Sequence, residues 1–207
     1  RVQSAARAWG MLSLASALPL AVVLLLGEAG IRTLLGRGPF DALELALLWL
    51  AALVRAGVYP LHYWLTDRRS LEAGDRIAVH LIAPITGLWL LARVHQVAGP
   101  DWLRGAEWAA LGALGLLGSA LAAWSAEEQE RAWRWIAINR ASLVVLAAHV
   151  AELAGPPALV WSLITFALGM ALLATGECAR SRWGWQWPLW LGALTVWGLP
   201  GTPGLLA

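Results

Sequence analysis

The stretch VRAGVYPLHYWLTD (54–67), followed after a charged turn by HLIAPITGLWLLAR (80–93), decides how the rest of the chain is read. Two apolar segments meet there. Each carries a proline inside its hydrophobic run, Pro60 in the first and Pro84 in the second, and each places an ionisable side chain nearby, Arg55 and His80. Proline lacks a backbone N–H, and its ring crowds the carbonyl four residues back. Pro60 therefore predicts a kink or break near Tyr59 that frees the Ala56 carbonyl, and Pro84 predicts the same for the His80 carbonyl.

The surrounding sequence sets the medium in which those breaks are read. Of 207 residues, 59% are hydrophobic and 14% charged, and the mean hydropathy is +0.64, outside the range of an ordinary soluble domain. A transmembrane helix needs about 20 mostly apolar residues. Seven such runs can be placed, at 8–27, 40–61, 77–98, 105–124, 134–151, 157–176 and 188–207. The expectation is an all-α fold, a polytopic transmembrane helix bundle of about seven spans forming one domain over 1–207. The runs leave no soluble domain, so a bulky cofactor is expected on another polypeptide and none here. The chain starts at Arg1 and stops just after an apolar segment, which predicts part of a longer protein.

In hydrocarbon, a carbonyl freed by proline must be met by a neighbour, a side chain or water, so such breaks face protein or a wet cavity. Two broken helices, each with an ionisable group, predict the polar centre of a transporter.

All fifteen basic residues are arginine, and arginine does not release its proton at biological pH. With seven spans, Arg1, Arg7, Arg68, Arg69, Arg76, Arg131, Arg134, Arg180 and Arg182 fall on one side and Arg32, Arg37, Arg93 and Arg104 on the other. Nine against four places the Arg1 end in the cytoplasm, in a bacterial plasma membrane. Trp102, Trp108, Trp124, Trp133, Trp183, Trp185 and Trp187 fall where an aromatic belt is expected. The net charge of +2 carries no nucleic-acid signal. Cys178 stands alone, so no internal disulfide can form. The histidines have neither thiolate nor paired carboxylate at metal-binding spacing, and no metal is expected.

The first span holds Pro19 and no charge, and reads as scaffold. In the second, Glu44 and Arg55 are eleven residues apart, about three turns along nearly one helix face and too far for contact. Gly112, Gly115, Gly118 and Ser119 allow close packing of the fourth span. Asn139 and Arg140 suit an interhelical bond, and His149 with Glu152 an interfacial pair. The chain closes on GLPGTPGLLA (198–207), where Pro200 predicts a further break.

From Arg55 to Arg93 the chain resembles the antiporter-like membrane subunits of respiratory complex I, multisubunit cation/proton antiporters, membrane hydrogenases and inorganic-carbon uptake complexes. Pro60, Leu61, His62, Trp64, Leu65 and Asp67 match the end of that family's K-S-A-Q-x-P-x-H-x-W-L stretch, and Gly87, Leu90, Leu91 and Arg93 match its closing L-L-x-R. Arg55 replaces the family lysine, and 72–77 replaces its P-T-P-V-S-A turn. Leu163, Ile164, Thr165, Ala167, Leu168, Ala171 and Leu172 resemble L-I-T-H-A-L-F-K-A-L-L, with Phe166 for the histidine and Met170 for the lysine. Gly198, Leu199, Pro200, Thr202 and Gly204 resemble the G-L-P-x-T-x-G of a later broken helix.

The resemblance implies a membrane subunit of a proton- or cation-translocating complex such as an NADH:quinone oxidoreductase, partnered by other membrane subunits and the lipid bilayer, with catalysis, if any, carried elsewhere. The lysine relay it implies cannot run through Arg55 and Met170. His80, His62, Glu44 and His149 remain as ion-path candidates beside Arg55. Each has a plainer reading: Arg55 as a static ion-pair member, His80 as a cap on the break at Pro84, and His62 with Asp67 as turn residues. A degenerate scaffold subunit that has lost conduction is the alternative function, and inorganic-carbon uptake a third.

Overall fold

The first helix stops at a glycine before it reaches the proline expected to break it. Ala42–Ala56 (α1) buries Leu45, Leu48, Trp49, Ala52 and Leu53. Gly57 then takes φ +67°, the left-handed conformation open to a residue without Cβ. Its N–H donates to the Val54 carbonyl at 3.2 Å, and the Val58 N–H donates to Leu53 at 3.3 Å, the paired bonds of a Schellman cap. The helical carbonyls are satisfied there, and Pro60 lies in the turn beyond. Pro60 is thus not the helix breaker, and α1 ends three residues short of Tyr59.

The computed structural model describes residues 42–62, 64–65, 78–98, 106–154 and 156–197, with isolated helical residues at 10, 13 and 17. Most of the run 8–27 and all of 198–207, including the break expected at Pro200, lie outside the described residues. All regular structure among the described residues is helical. A π-helical turn, Ala78–Ile82, runs directly into Ala83–Ala98 (α2). Ala106–Trp124 (α3), Gln129–Ala154 (α4), Pro156–Trp183 (α5) and Trp187–Trp197 (α6) follow.

Pro84 also departs from expectation, because the chain does not break there. It sits buried directly after the π turn, whose hydrogen-bond register already departs from the α ladder there. The wider π turn before it absorbs the change of register.

Each helix packs chiefly on the next in sequence: α1 on α2, α3 on α4 and α5 on α6, with α4 joining α5 and α2 reaching both α4 and α5. Glycines set these contacts. A Cβ on Gly112 or Gly115 of α3 would run into Leu146 or Ser142 of α4, and Asn139 reaches back to Ser119 at 3.1 Å. The partner number falls as the α3 number rises, so the two helices are antiparallel. Gly169, Gly176 and Gly192 pair with Val196, Leu189 and Leu173 in the same descending order, making α5 and α6 antiparallel too.

The core is apolar and continuous from α1 through α6, and it takes in Phe166, Met170 and Leu173 of α5. The outer surface is apolar as well. On α3, Leu114, Leu117, Leu121 and Trp124 are 60 to 92% exposed along one face. Leu43 and Leu50 of α1, Trp89 of α2, Val160 and Ile164 of α5, and Trp190 and Trp197 of α6 also face outward. By length and composition, Ala158–Trp183 within α5 can cross a membrane, and Trp108–Trp124 is a shorter apolar helix.

Candidate functional site

The site is built where the capped end of α1 meets the start of α2. Beyond Gly57 the chain makes two tight turns, with Leu61 N–H donating to Val58 at 2.7 Å and Leu65 N–H to His62 at 2.8 Å. These fold Trp64 and Leu65 back over the glycine, so that a Cβ there would overlap the Leu65 side chain. The buried Trp64 indole N–H donates to the Val54 carbonyl at 2.9 Å. Trp64 and Leu65 form a second apolar cluster with Ala83 of α2 and Ile138 of α4. The P-L-H-x-W-L pattern therefore has a local reason: the tryptophan completes the cap and wedges the turn among three helices.

Trp64→Phe keeps much of the packing and removes the indole donor. The Val54 carbonyl would retain only the longer bond from Gly57, so the expected loss is about 1 kcal/mol. A thermal unfolding comparison in one detergent checks it, and an unchanged midpoint would count against the cap.

Arg55 leaves the last turn of α1 half-buried, and its Nε donates to Thr86 Oγ1 at 2.7 Å. Thr86 Oγ1 in turn donates to the Ala83 carbonyl at 2.9 Å, in the first turn of α2. A fixed positive charge is thus tied to the helix start that follows the π turn. Thr86 is the residue missed from the sequence; its signal was a hydroxyl two positions after a proline in an apolar run.

His62 lies in the turn between two aromatic rings. It stacks on Tyr59 at 5.1 Å and tilts against Trp135 of α4 at 4.9 Å. Its Nδ1 is buried, with the Pro60 backbone as its polar neighbour. His80 is half-buried in the π turn and engaged in an interaction of its own. The structure thus gathers Arg55, His62 and Thr86 around one junction of α1, α2 and α4, with His80 on the turn leading into it.

The other candidates are remote. Glu44 sits half-buried in the first turn of α1, about 16 Å along the helix from Arg55, and has its own interaction. His149 is near the far end of α4, where its Nδ1 is buried without a hydrogen-bond partner among the described residues; the side chain of Glu152 lies outside them. Asn139 donates to the Leu116 carbonyl at 2.9 Å and to Ser119 Oγ, an interhelical bond of the kind its position suggests. Phe166 and Met170, at the positions where the resemblance implies titratable groups, are 1% and 7% exposed inside the apolar core.

The arrangement can hold one fixed positive charge beside a hydroxyl and place an imidazole among aromatic rings. Among the described residues no three His, Cys, Asp or Glu side chains converge as metal ligands. No protein-family model matches the chain, and no curated protein matches it either.

Proposed function

We propose that this chain is a membrane-embedded helical subunit of a multisubunit complex that moves protons or another small cation, built of about seven spans and similar in plan to antiporter-like subunits. The observation that carries this is the placement of polarity. Large apolar side chains face outward on α1, α2, α3, α5 and α6, while Arg55, Thr86, Asn139 and Ser119 make their bonds between helices. That pattern suits hydrocarbon outside and satisfied polar contacts inside. Within it, the Arg55–Thr86 bond fixes a charge at the helical segment that follows a π turn, and histidine is the side chain that exchanges protons near neutral pH.

The test is ion flux in reconstituted complex. Arg55→Ala combined with His80→Ala is expected to reduce flux to the leak of vesicles without protein, with the complex still assembled. Unchanged translocation would sink the transport role.

A scaffold role for a subunit that no longer conducts is favoured by one observation. The two α5 positions where a relay is implied are filled by Phe166 and Met170 and sealed in the core. Under that reading, deleting the chain abolishes assembly, while the Arg55 and His80 changes leave coupling intact.

A further inference from the structure

The segment RSRWGWQW (180–187), which covers the last turn of α5, the link 184–186 and the first residue of α6, is exposed at every position. Gly184, at φ +71°, ends α5 by donating its N–H to the Arg180 carbonyl at 3.0 Å. The segment sets three indoles in a row, with Trp183 and Trp185 ring centres 5.9 Å apart and Trp185 and Trp187 6.5 Å apart. They are 66, 55 and 56% exposed. Arg180 and Arg182 flank them, and among the described residues neither guanidinium has a hydrogen bond or ion pair. Glu177, one turn back, is half-buried and already engaged.

Helix length fixes the depth of these groups. The uncharged run from Pro157 to Gly176 covers about 30 Å, the thickness of the hydrocarbon layer. Arg180 and Arg182 then lie about 6 and 9 Å further along. The interfacial layer adds about 5 to 8 Å on each face, so both guanidiniums reach phosphate level. Indoles partition to this boundary, with the ring body toward the chains and the N–H toward water.

We propose that this segment is a docking site for the headgroup of an anionic phospholipid. The phosphate diester pairs with the Arg182 guanidinium beside the indoles, Arg180, on another face of the same helical turn, adds to the local positive charge, and the three indoles wedge at glycerol depth. Charge of one sign with no acidic partner favours an anionic ligand, and guanidinium matches phosphate oxygens in pairs. The indoles are tilted to one another by 50° and 39°, giving separate wedges for mobile lipid rather than one flat face for a protein. The inference rests on the membrane reading above.

The experiment uses the full chain in detergent, exchanged into equal phosphatidylglycerol and phosphatidylcholine, with retained lipid counted by native mass spectrometry. The parent is expected to prefer phosphatidylglycerol. Arg180→Gln with Arg182→Gln should lose that preference roughly tenfold or more, given what each arginine contributes at an anionic surface. Arg180→Lys with Arg182→Lys should keep most of it, and Arg131→Gln, a control at an exposed position on α4, should keep all of it. If the double glutamine variant binds like the parent, or if inorganic phosphate displaces the lipid, the headgroup site is overturned. Alkaline carbonate extraction separates the two levels. Release of the parent from membranes overturns the membrane reading and this inference together, whereas retention with arginine-independent lipid preference overturns the inference alone.

Discussion

Gly87→Ala is expected to destabilise the chain by about 3 kcal/mol, a large effect for a single added methyl group. A Cβ at Gly87 would stand 2.8 Å from both the Ala52 carbonyl oxygen and the Arg55 carbonyl carbon, and closer still to the Ala56 amide nitrogen. All three are backbone atoms of α1, so no side chain can swing aside. The helices must part, and Leu88 and Leu91, now fully buried against the α1 core, lose contacts with it. Overpacking costs about 1 to 3 kcal/mol when side chains can shift, which puts a backbone collision at the top of that range. Gly118→Ala is the control: nothing lies within 4 Å of its added Cβ, and replacing a helical glycine by alanine gains up to about 1 kcal/mol. Thermal midpoints in one detergent decide it, and equal midpoints for the two variants would refute the close crossing. The same separation would draw Arg55 away from Thr86, so ion flux or assembly should fall along with stability.

The helical class and the tight glycine packing of α3 were legible because both are local. An apolar run of helical length announces itself, and Gly112, Gly115 and Ser119 do face α4, as their size suggested. Gly118 does not, because helical periodicity turns it away from the interface. The ends of α1 and α2 were less legible. Proline rules forecast breaks at Pro60 and Pro84, but Gly57 stops α1 first by taking a conformation its missing side chain allows. At the second site a π turn carries the chain smoothly into α2. Glycine followed by proline three positions later was the available signal for the first. The second needed the geometry of the preceding turn, which composition does not encode.

The junction itself depended on partners distant in sequence. Arg55 was singled out for its charge, but its bond to Thr86 joins positions thirty-one residues apart. The Trp135 ring that confines His62 comes from α4, beyond two further helices. Such pairings follow from how helices cross, and no local pattern in α1 or α4 points to the other. The resemblance drew the eye to Pro60, His62 and Trp64; the structure shows around them a capped helix end folded back against α2 and α4.

Met170→Lys is the second large effect, and it separates the two functional readings. The resemblance implies a lysine at this position, so a chain that keeps a water-accessible path along α5 should accept one. Here the side chain is 7% exposed in a cluster with Phe166, Leu173, Leu159 and Val196. Of the buried hydroxyls on these helices, Thr195 donates to the Leu191 carbonyl at 2.8 Å, and Thr165 has an interaction of its own. An ammonium placed there meets no carboxylate on α5 between Pro157 and Gly176. An unpaired buried charge costs several kcal/mol, so Met170→Lys is expected to lower stability by about 3 to 5 kcal/mol or to prevent folding. Met170→Leu conserves volume and should cost less than about 1.5 kcal/mol. Thermal midpoints of the two variants, with assembly measured alongside, read the difference. If lysine is tolerated as well as leucine, water reaches α5 and the sealed-core argument for a scaffold falls. If lysine fails while leucine folds, a proton path does not run past Met170, and the junction of α1, α2 and α4, which carries Arg55 and His62 with His80 on the π turn leading into it, is the place left to test first.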